Sequence, residues 1–399
     1  MGCNPRALRT TRAPERPTNM ESAVRRAAFE ASRTIVVKIG TNALSRPDDT
    51  LDFDRINSLA EQLVRLRRTG KKVLVVSSGA IGAGIGLLGL RERPTELPHL
   101  QATASVGQAH LIGAYDAAFQ KHGLRASQIL LTANDFRRRV RYLNMRNTIN
   151  TLFEYDVIPV VNENDTVSTD EIKFGDNDRL AAMVSSLLER PLLIILSVID
   201  GLYDRDPKDP GAKVIPLIES WDERLRSLAA DSKSSRGTGG MVSKLEAVRM
   251  ATSGGGNVII ANGTDRTVLD KVREAEEVGT LFLGVGEPVP AWKRWIGYTV
   301  SPVGKLRLDA GATHAVRDNG RSLLAIGVTS VEGHFSKGEI VSVLDSEGAE
   351  IARGLINFNS QQVAQIAGKR NAEITALLGA EADRAVIHRD NLAITGERK

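Results

Sequence analysis

A single cysteine, Cys3, among 399 residues excludes an internal disulfide and any cysteine-built metal site. Histidine is scarce as well: the six in the chain are scattered, and none falls in its most acidic stretch. The longest apolar run, "LLIILSVI", is far short of the roughly 20 residues that span a bilayer. No apolar segment follows the basic N-terminal residues, so a secretory signal is not expected. Bulk positive charge is also missing once the charge is located. Net charge is +5, but residues 1–33 hold seven Arg against three Glu, a net of +4, so the rest is nearly neutral. That balance offers no general nucleic-acid signature. Residues 1–32, with Pro5, Pro14 and Pro17 and little apolar periodicity, read as a disordered basic extension. An Arg-rich transit peptide is the alternative, and Met20 is an alternative start. Together these absences fit a cytoplasmic enzyme without a membrane anchor.

What is present is length, a core and alternation. The chain is long enough for two or three domains, and 42% apolar content supports real cores. From Thr34 onward, strand-like runs alternate with helical patterns: "TIVVKIG", then "RINSLAEQLVRLRRTG", then "KKVLVVSSG". The alternation continues through "VIPVVN", "LLIILSVI" and "NVIIAN". Apolar strands separated by helices predict a mostly parallel α/β sheet covered on both faces. Ligands on such sheets sit at the carboxyl ends of the strands. After Pro288-Val289-Pro290 the pattern changes to short strands and Gly turns. The expected division is 33–287 for the α/β part and 291–399 for a small β-rich domain. The latter holds 14 basic and 12 acidic residues.

Three stretches at predicted strand or helix ends carry polar signals. Lys38 lies inside the apolar strand "VVKIGTNAL", where a lysine either snorkels to the surface or points at a phosphate. Gly84, Gly86 and Gly89 match G-x-G-x-x-G, but no acidic residue follows about 20 residues on to hold a ribose. That run reads as a flexible loop and helix start meeting a small ligand, with tight helix–sheet packing as the alternative. "SRGTGGMVSKLEA" lacks the G-K-[ST] ending of a P-loop. It is still a glycine loop opening a helix, with Lys244 in the first turns, and either an anion site or an ordinary loop fits.

The stretch "VNENDTVSTDEIKFGDNDRL" crowds carboxylates and amides between a strand and a helix. It lacks the spacing and glycine of an EF-hand. Asp176 or Asn177 suits a helix N-terminus, and Asp178 lies in the favourable first turn. Capping does not explain Asn162 or Asp165 at a strand's carboxyl end.

Taken together, "VVKIGTNAL", "VSSGAIGAG", "VNENDTV", "KFGDNDRLAA", "DGLYDRDP" and "GTGGMVSKLEAV" resemble, in that order, the glutamate 5-kinase family of the amino acid kinase superfamily. "GKLRLDAGATHAV" and "FSKGEIVSV" resemble a PUA domain. The resemblance runs from about residue 33 to the end. It implies transfer of a phosphoryl group from ATP to L-glutamate, giving L-glutamyl 5-phosphate and ADP in proline synthesis. Mg²⁺, feedback by L-proline and a homo-oligomer are implied with it.

By the family pattern Lys38 and Lys244 neutralise charge on the transferring group, and Asp178 orients them. Ser78, Asp165 and Asn177 would contact the substrate. Ser197 and Val198, with Thr238, Gly239, Gly240, Met241, Val242, Ser243 and Lys244, would form the nucleotide site. No residue is assigned to a metal. One departure stands out: the family usually has Asp where this chain has Val198. The other readings are a kinase for acetylglutamate, aspartate or carbamate, an RNA-binding protein and a Rossmann dehydrogenase. The near-neutral tail argues against RNA.

Overall fold

The computed structural model describes residues 20–46, 50–168, 177–221, 225, 240–284, 290–378 and 385–395. Eight strands form one sheet: β1 Thr34–Ile39, β2 Lys72–Ser77, β3 Arg125–Leu131, β4 Val157–Glu163, β5 Pro191–Ser197, β6 Leu217–Ile218, β7 Asn257–Asn262 and β8 Thr280–Phe282. Their spatial order is β3-β4-β2-β1-β5-β7-β8-β6. All pairings are parallel except β7 with β8. The expected mostly parallel sheet is therefore present. All six residues of β1 are buried, as a central strand covered on both faces requires.

Helices cover both faces: α1 Met20–Ala31, α2 Phe53–Arg67, α3 Ala80–Leu88, α4 Leu97–Gln120, α5 Ala133–Arg137, α6 Arg139–Glu154, α7 Asn177–Leu187 and α8 Met241–Ser253. One core lies between the sheet and α2 and α4, through Leu59, Leu63, Leu111 and Phe119. The other lies under α6, α7 and α8, through Ile149, Leu180, Val184 and Val248. The sheet thus sits between two apolar layers, and its carboxyl edge is the place left for polar chemistry.

Two expectations need correction. Residues 20–31, expected within a disordered extension, form α1. Ala28 and Phe29 are buried, and the Arg25 guanidinium donates to the carbonyls of Pro216, Val278 and Gly279. A buried arginine satisfied by carbonyls leaves no apolar pattern to read. The glycine run after β2, expected as a flexible loop and helix start, is helical through Leu88 and forms α3, packed on α4. A Cβ on Gly84 would collide with the Thr103 carbonyl, and one on Gly107 with the carbonyl of Ala80. These glycines permit close contact between helices, so the run is tightly packed, but against α4 and not against the sheet. Gly79 does need its residue type, because it turns the chain into α3 at φ 104°.

The β-rich part forms a second sheet of β9 Gly304–Leu308, β10 Val328–Gly333, β11 Ile340–Leu344, β12 Glu350–Leu355 and β13 Leu392–Ile394, ordered β10-β9-β11-β12-β13. It has its own core around Leu306, Val343, Phe358 and Val363. The segment leading into it packs against the first unit. Trp295, Ile296 and Val300 join the core under α6–α8, as do Ile340, Leu355 and Ala393. Among the described residues no helix is long and apolar enough to cross a membrane.

Candidate active site

Lys38 is the next-to-last residue of β1, in register with Val76 of β2 and Ile195 of β5. Its side chain does not snorkel outward. Lys38 is 4% exposed, and its Nζ lies 2.7 Å from Asp178 Oδ1. Lys244, in the first turns of α8, places its Nζ 3.0 Å from the other oxygen, Asp178 Oδ2. Lys244 is 6% exposed and Asp178 fully buried. The two ammonium groups are thus held by one carboxylate on the first turn of α7. The formal charge of this trio is one positive in excess, at a sheet edge where anions are to be bound. Burial of such a set is stabilising only when geometry is good and every oxygen is used. Both oxygens are.

Beside the trio lies a polar cluster. Asn177, half-buried, donates from Nδ2 to Ser78 Oγ at 2.7 Å and to the Ser77 carbonyl at 3.2 Å. It also reaches Asn162 Oδ1 at 3.1 Å. Asn162 in turn donates from Nδ2 to Gln108 Oε1 at 2.8 Å. Asp165 lies just past β4 and lines a cavity of about 220 Å³ with Gln108, Gln128, Glu163, Asn164 and Thr166. Below, Ser77 Oγ lies 3.0 Å from Tyr115 OH. Burial pushes the Tyr115 phenol well above its ordinary range, partly offset by that bond. The larger cavity, about 720 Å³ and lined by Arg321, Leu324, Ile326 and Arg389 among others, belongs to the second unit and holds none of the candidate residues.

The nucleotide candidates are more scattered. Ser197 ends β5 in register with Asn262 of β7. Val198 follows it, 51% exposed. Two residues on, Asp200 accepts from Asn262 Nδ2 at 2.7 Å and from the Tyr203 hydroxyl at 2.9 Å. Gly240 starts α8 with no side chain to cap it, and Met241, Val242, Ser243 and Lys244 form the opening turn. First-turn amides have no carbonyl one turn back within the helix, a setting that receives phosphate oxygens. Thr238 and Gly239 lie outside the described residues.

The structure therefore brings Lys38, Asp178 and Lys244 into direct contact and joins Ser78 to Asn177. Asp165 lines a cavity together with Gln108, which is bonded to Asn162. Gln108 is absent from the sequence-based site. Its one signal was a polar residue on the buried face of α4, between Ala104 and Leu111. Among the described residues no group of three or more His, Cys, Asp or Glu side chains is placed to hold a metal.

Residues 33–262 match the amino acid kinase family, and residues 304–378 match the PUA domain. A curated relative from Rhodopirellula baltica, named Glutamate 5-kinase, is 45% identical over 93% of this chain and 96% of its own length. Relatives of the same name from Thioalkalivibrio sulfidiphilus and Caldanaerobacter subterraneus are 45% and 44% identical, over 91% and 90% of this chain and 97% of their own lengths. With two buried lysines on one aspartate, an amide cluster beside them and identity of this level along nearly all of its relatives' length, the chain belongs to the glutamate 5-kinase family of amino acid kinases.

Proposed function

We propose that the site transfers the terminal phosphoryl group of ATP to the γ-carboxylate of L-glutamate, giving L-glutamyl 5-phosphate and ADP, the first step of proline synthesis. The observation that carries this reading is the buried Lys38–Asp178–Lys244 trio beside the Asn177–Ser78 pair. A side-chain carboxylate with an ordinary pKa of about 4.3 is already ionised at pH 7. No general base is needed, in keeping with a site built without His or Cys. The difficulty is bringing one anion to another, so positioning and charge stabilisation carry the catalysis. Lys38 and Lys244 supply that charge. Asp178 holds both in place, so little reorganisation is required as charge develops.

Asn177, Ser78 and Asp165 face the amino-acid end. A carboxylate at Asp165 suits the α-ammonium, and the hydroxyl and amide suit the α-carboxylate and its neighbours. ATP binds through residues 238–244 and the Ser197–Val198 corner. Mg²⁺ fits as an ion carried by the nucleotide phosphates and water, since both Asp178 oxygens are engaged by lysines. It would neutralise phosphate charge there. L-Proline shares the α-carboxylate and an α-nitrogen with glutamate, which supports feedback by proline as part of the same proposal. A cytoplasmic location agrees with these substrates.

The test is ATP-dependent formation of γ-glutamyl hydroxamate from L-glutamate and hydroxylamine, with and without L-proline. Acetylglutamate and aspartate serve as alternative acceptors. Absence of glutamate-dependent product, or a better rate with another acceptor, overturns the assignment.

A further inference from the structure

We infer that Gln108 is a positioning residue that holds in place the Asn162 and Asn177 amides of the amino-acid clamp, whose polarity two backbone groups set. The inference rests on the proposed glutamate reading and deepens it. Side-chain amides can present either end, so a cluster of three needs something to choose the orientation of each. Two backbone groups make the choice. The Glu163 N–H donates to Asn162 at 2.9 Å, so that atom of Asn162 must be its oxygen. The Ser77 carbonyl lies 3.2 Å from Asn177, so that atom of Asn177 must be its nitrogen.

The rest follows in order. With its oxygen on the Glu163 N–H and on Asn177, Asn162 turns its NH₂ toward Gln108. Gln108 must answer with its oxygen, and does so at 2.8 Å. Its own NH₂ is then the end left to serve the cavity that holds Asp165. At the other end Asn177 uses its NH₂ on Ser78, Ser77 and Asn162. Its oxygen is left as an acceptor, suited to an ammonium. Ser78 accepts from Asn177, so its hydroxyl hydrogen is left as a donor, suited to a carboxylate.

Gln108 is 8% exposed and Asn162 3% exposed, so neither end of their bond is readily satisfied by water. Removing the Gln108 oxygen strands a buried NH₂ and leaves Asn162 held only through its oxygen, by the Glu163 N–H and Asn177. Asn177 then rests on a less firmly held acceptor, while the Ser77 carbonyl still sets which end it shows the substrate. The effect reaches the amino acid through Asn162 and Asn177. It does not reach the nucleotide side, where Lys38 and Lys244 are held by Asp178.

The experiment compares Gln108→Met, which keeps length and loses the acceptor, with Gln108→Glu, which keeps the acceptor. Gln108→Met should raise the KM for L-glutamate by about 5- to 150-fold, with the KM for ATP unchanged within about twofold. Gln108→Glu should show the smaller increase, as rescue by a residue that still accepts from Asn162. Equal rises in both KM values, or Gln108→Glu as damaging as Gln108→Met, overturn the inference. A second readout needs no substrate. Urea midpoints of Gln108→Met, Asn162→Leu and the double variant should be non-additive, the double falling short of the summed shifts. Additive shifts show that the two side chains do not act as a unit. Absence of glutamate turnover by the unaltered enzyme would count against the proposed function, while the urea cycle still decides the relay.

Discussion

Lys38→Met separates the two jobs of the buried trio. The parent site holds two ammonium groups on one carboxylate. Methionine keeps most of the length and removes one charge, leaving a neutral Asp178–Lys244 pair. The phosphoryl group loses one positive neighbour at the moment its charge spreads. Two unit charges about 4 Å apart at an effective dielectric of about 20 interact by about 4 kcal/mol. Loss of one preorganised donor in other enzymes costs about 2.7–4 kcal/mol, on the order of 100- to 1,000-fold in kcat. That range is the expected fall in kcat, with little change in the KM for glutamate.

Stability should move much less. Leaving a buried charge without its partner costs about 3–5 kcal/mol, but Asp178 keeps Lys244. Asp178→Asn differs, because it leaves two buried ammonium groups with no counter-charge. It should lose both activity and roughly the full 3–5 kcal/mol. Steady-state hydroxamate kinetics and urea unfolding on both variants check the pair. A Lys38→Met enzyme within about threefold of parent kcat, or an Asp178→Asn protein more stable than Lys38→Met, refutes this account of the trio.

Other outcomes are expected at the edges of the site. Val198→Asp restores an acceptor on an exposed corner beside Asp200; a charged hydrogen bond of roughly 1.5–3 kcal/mol should lower the KM for ATP about 10- to 150-fold and sharpen selectivity over GTP. Unchanged values for both nucleotides show that the side chain does not face them. Arg294→Met removes a buried guanidinium that donates to the Ser186 and Leu188 carbonyls at the end of α7. Urea unfolding should show a loss of at least about 1.5–3 kcal/mol, and an unmoved midpoint counts against the cap. Tyr142 is pushed up to about 12, first by burial, against an ordinary value of 10.0. The folded protein therefore keeps a proton that the unfolded chain loses. Stability should fall as pH rises from about 10 to about 12, and Tyr142→Phe should flatten that slope in urea titrations. An identical slope in the variant assigns the loss elsewhere.

Much of the first unit could be read before any coordinates. β1, β2, β5 and β7 are central strands, buried on both faces, and such strands must be written in Val, Ile and Leu. The two shortest strands of the first sheet were silent. β6 and β8 have two and three residues, too few for any period to show. α1 was missed because Arg25 occupies a core-facing position, and only three distant carbonyls make that tolerable. The glycines of α3 were misread for the opposite reason. Gly usually marks a loop, yet here its missing side chain lets α4 approach.

At the site, residue types were legible and orientations were not. Lys38 in a buried strand and Asp178 in a first helix turn each had an ordinary explanation. Only β1, α7 and α8 meeting at one edge chose between them. The same limit applies to amides. Asn162 and Asn177 are visible as polar residues near a strand end, but which end each presents is set by backbone groups, the adjacent Glu163 N–H for Asn162 and the Ser77 carbonyl, 100 residues away, for Asn177.

The change of pattern at Pro288–Pro290 marks where the chain stops alternating, which is a statement about local sequence. Packing follows a different boundary. Past that point Arg294 closes the last turn of α7, and the Trp295 indole donates to the Phe136 carbonyl in α5. Trp292 stacks on Trp295 with ring centres 4.7 Å apart, and Tyr142 of α6 lies against both. The opposite end of α7 carries Asn177 and Asp178. The helix that aims the two lysines is thus held at its N-terminus by the site and at its C-terminus by residues on the far side of the apparent domain break. A cut at 291 removes part of the core under α6–α8. Its effect on activity would therefore report the support of α7 before it reported anything about the second sheet.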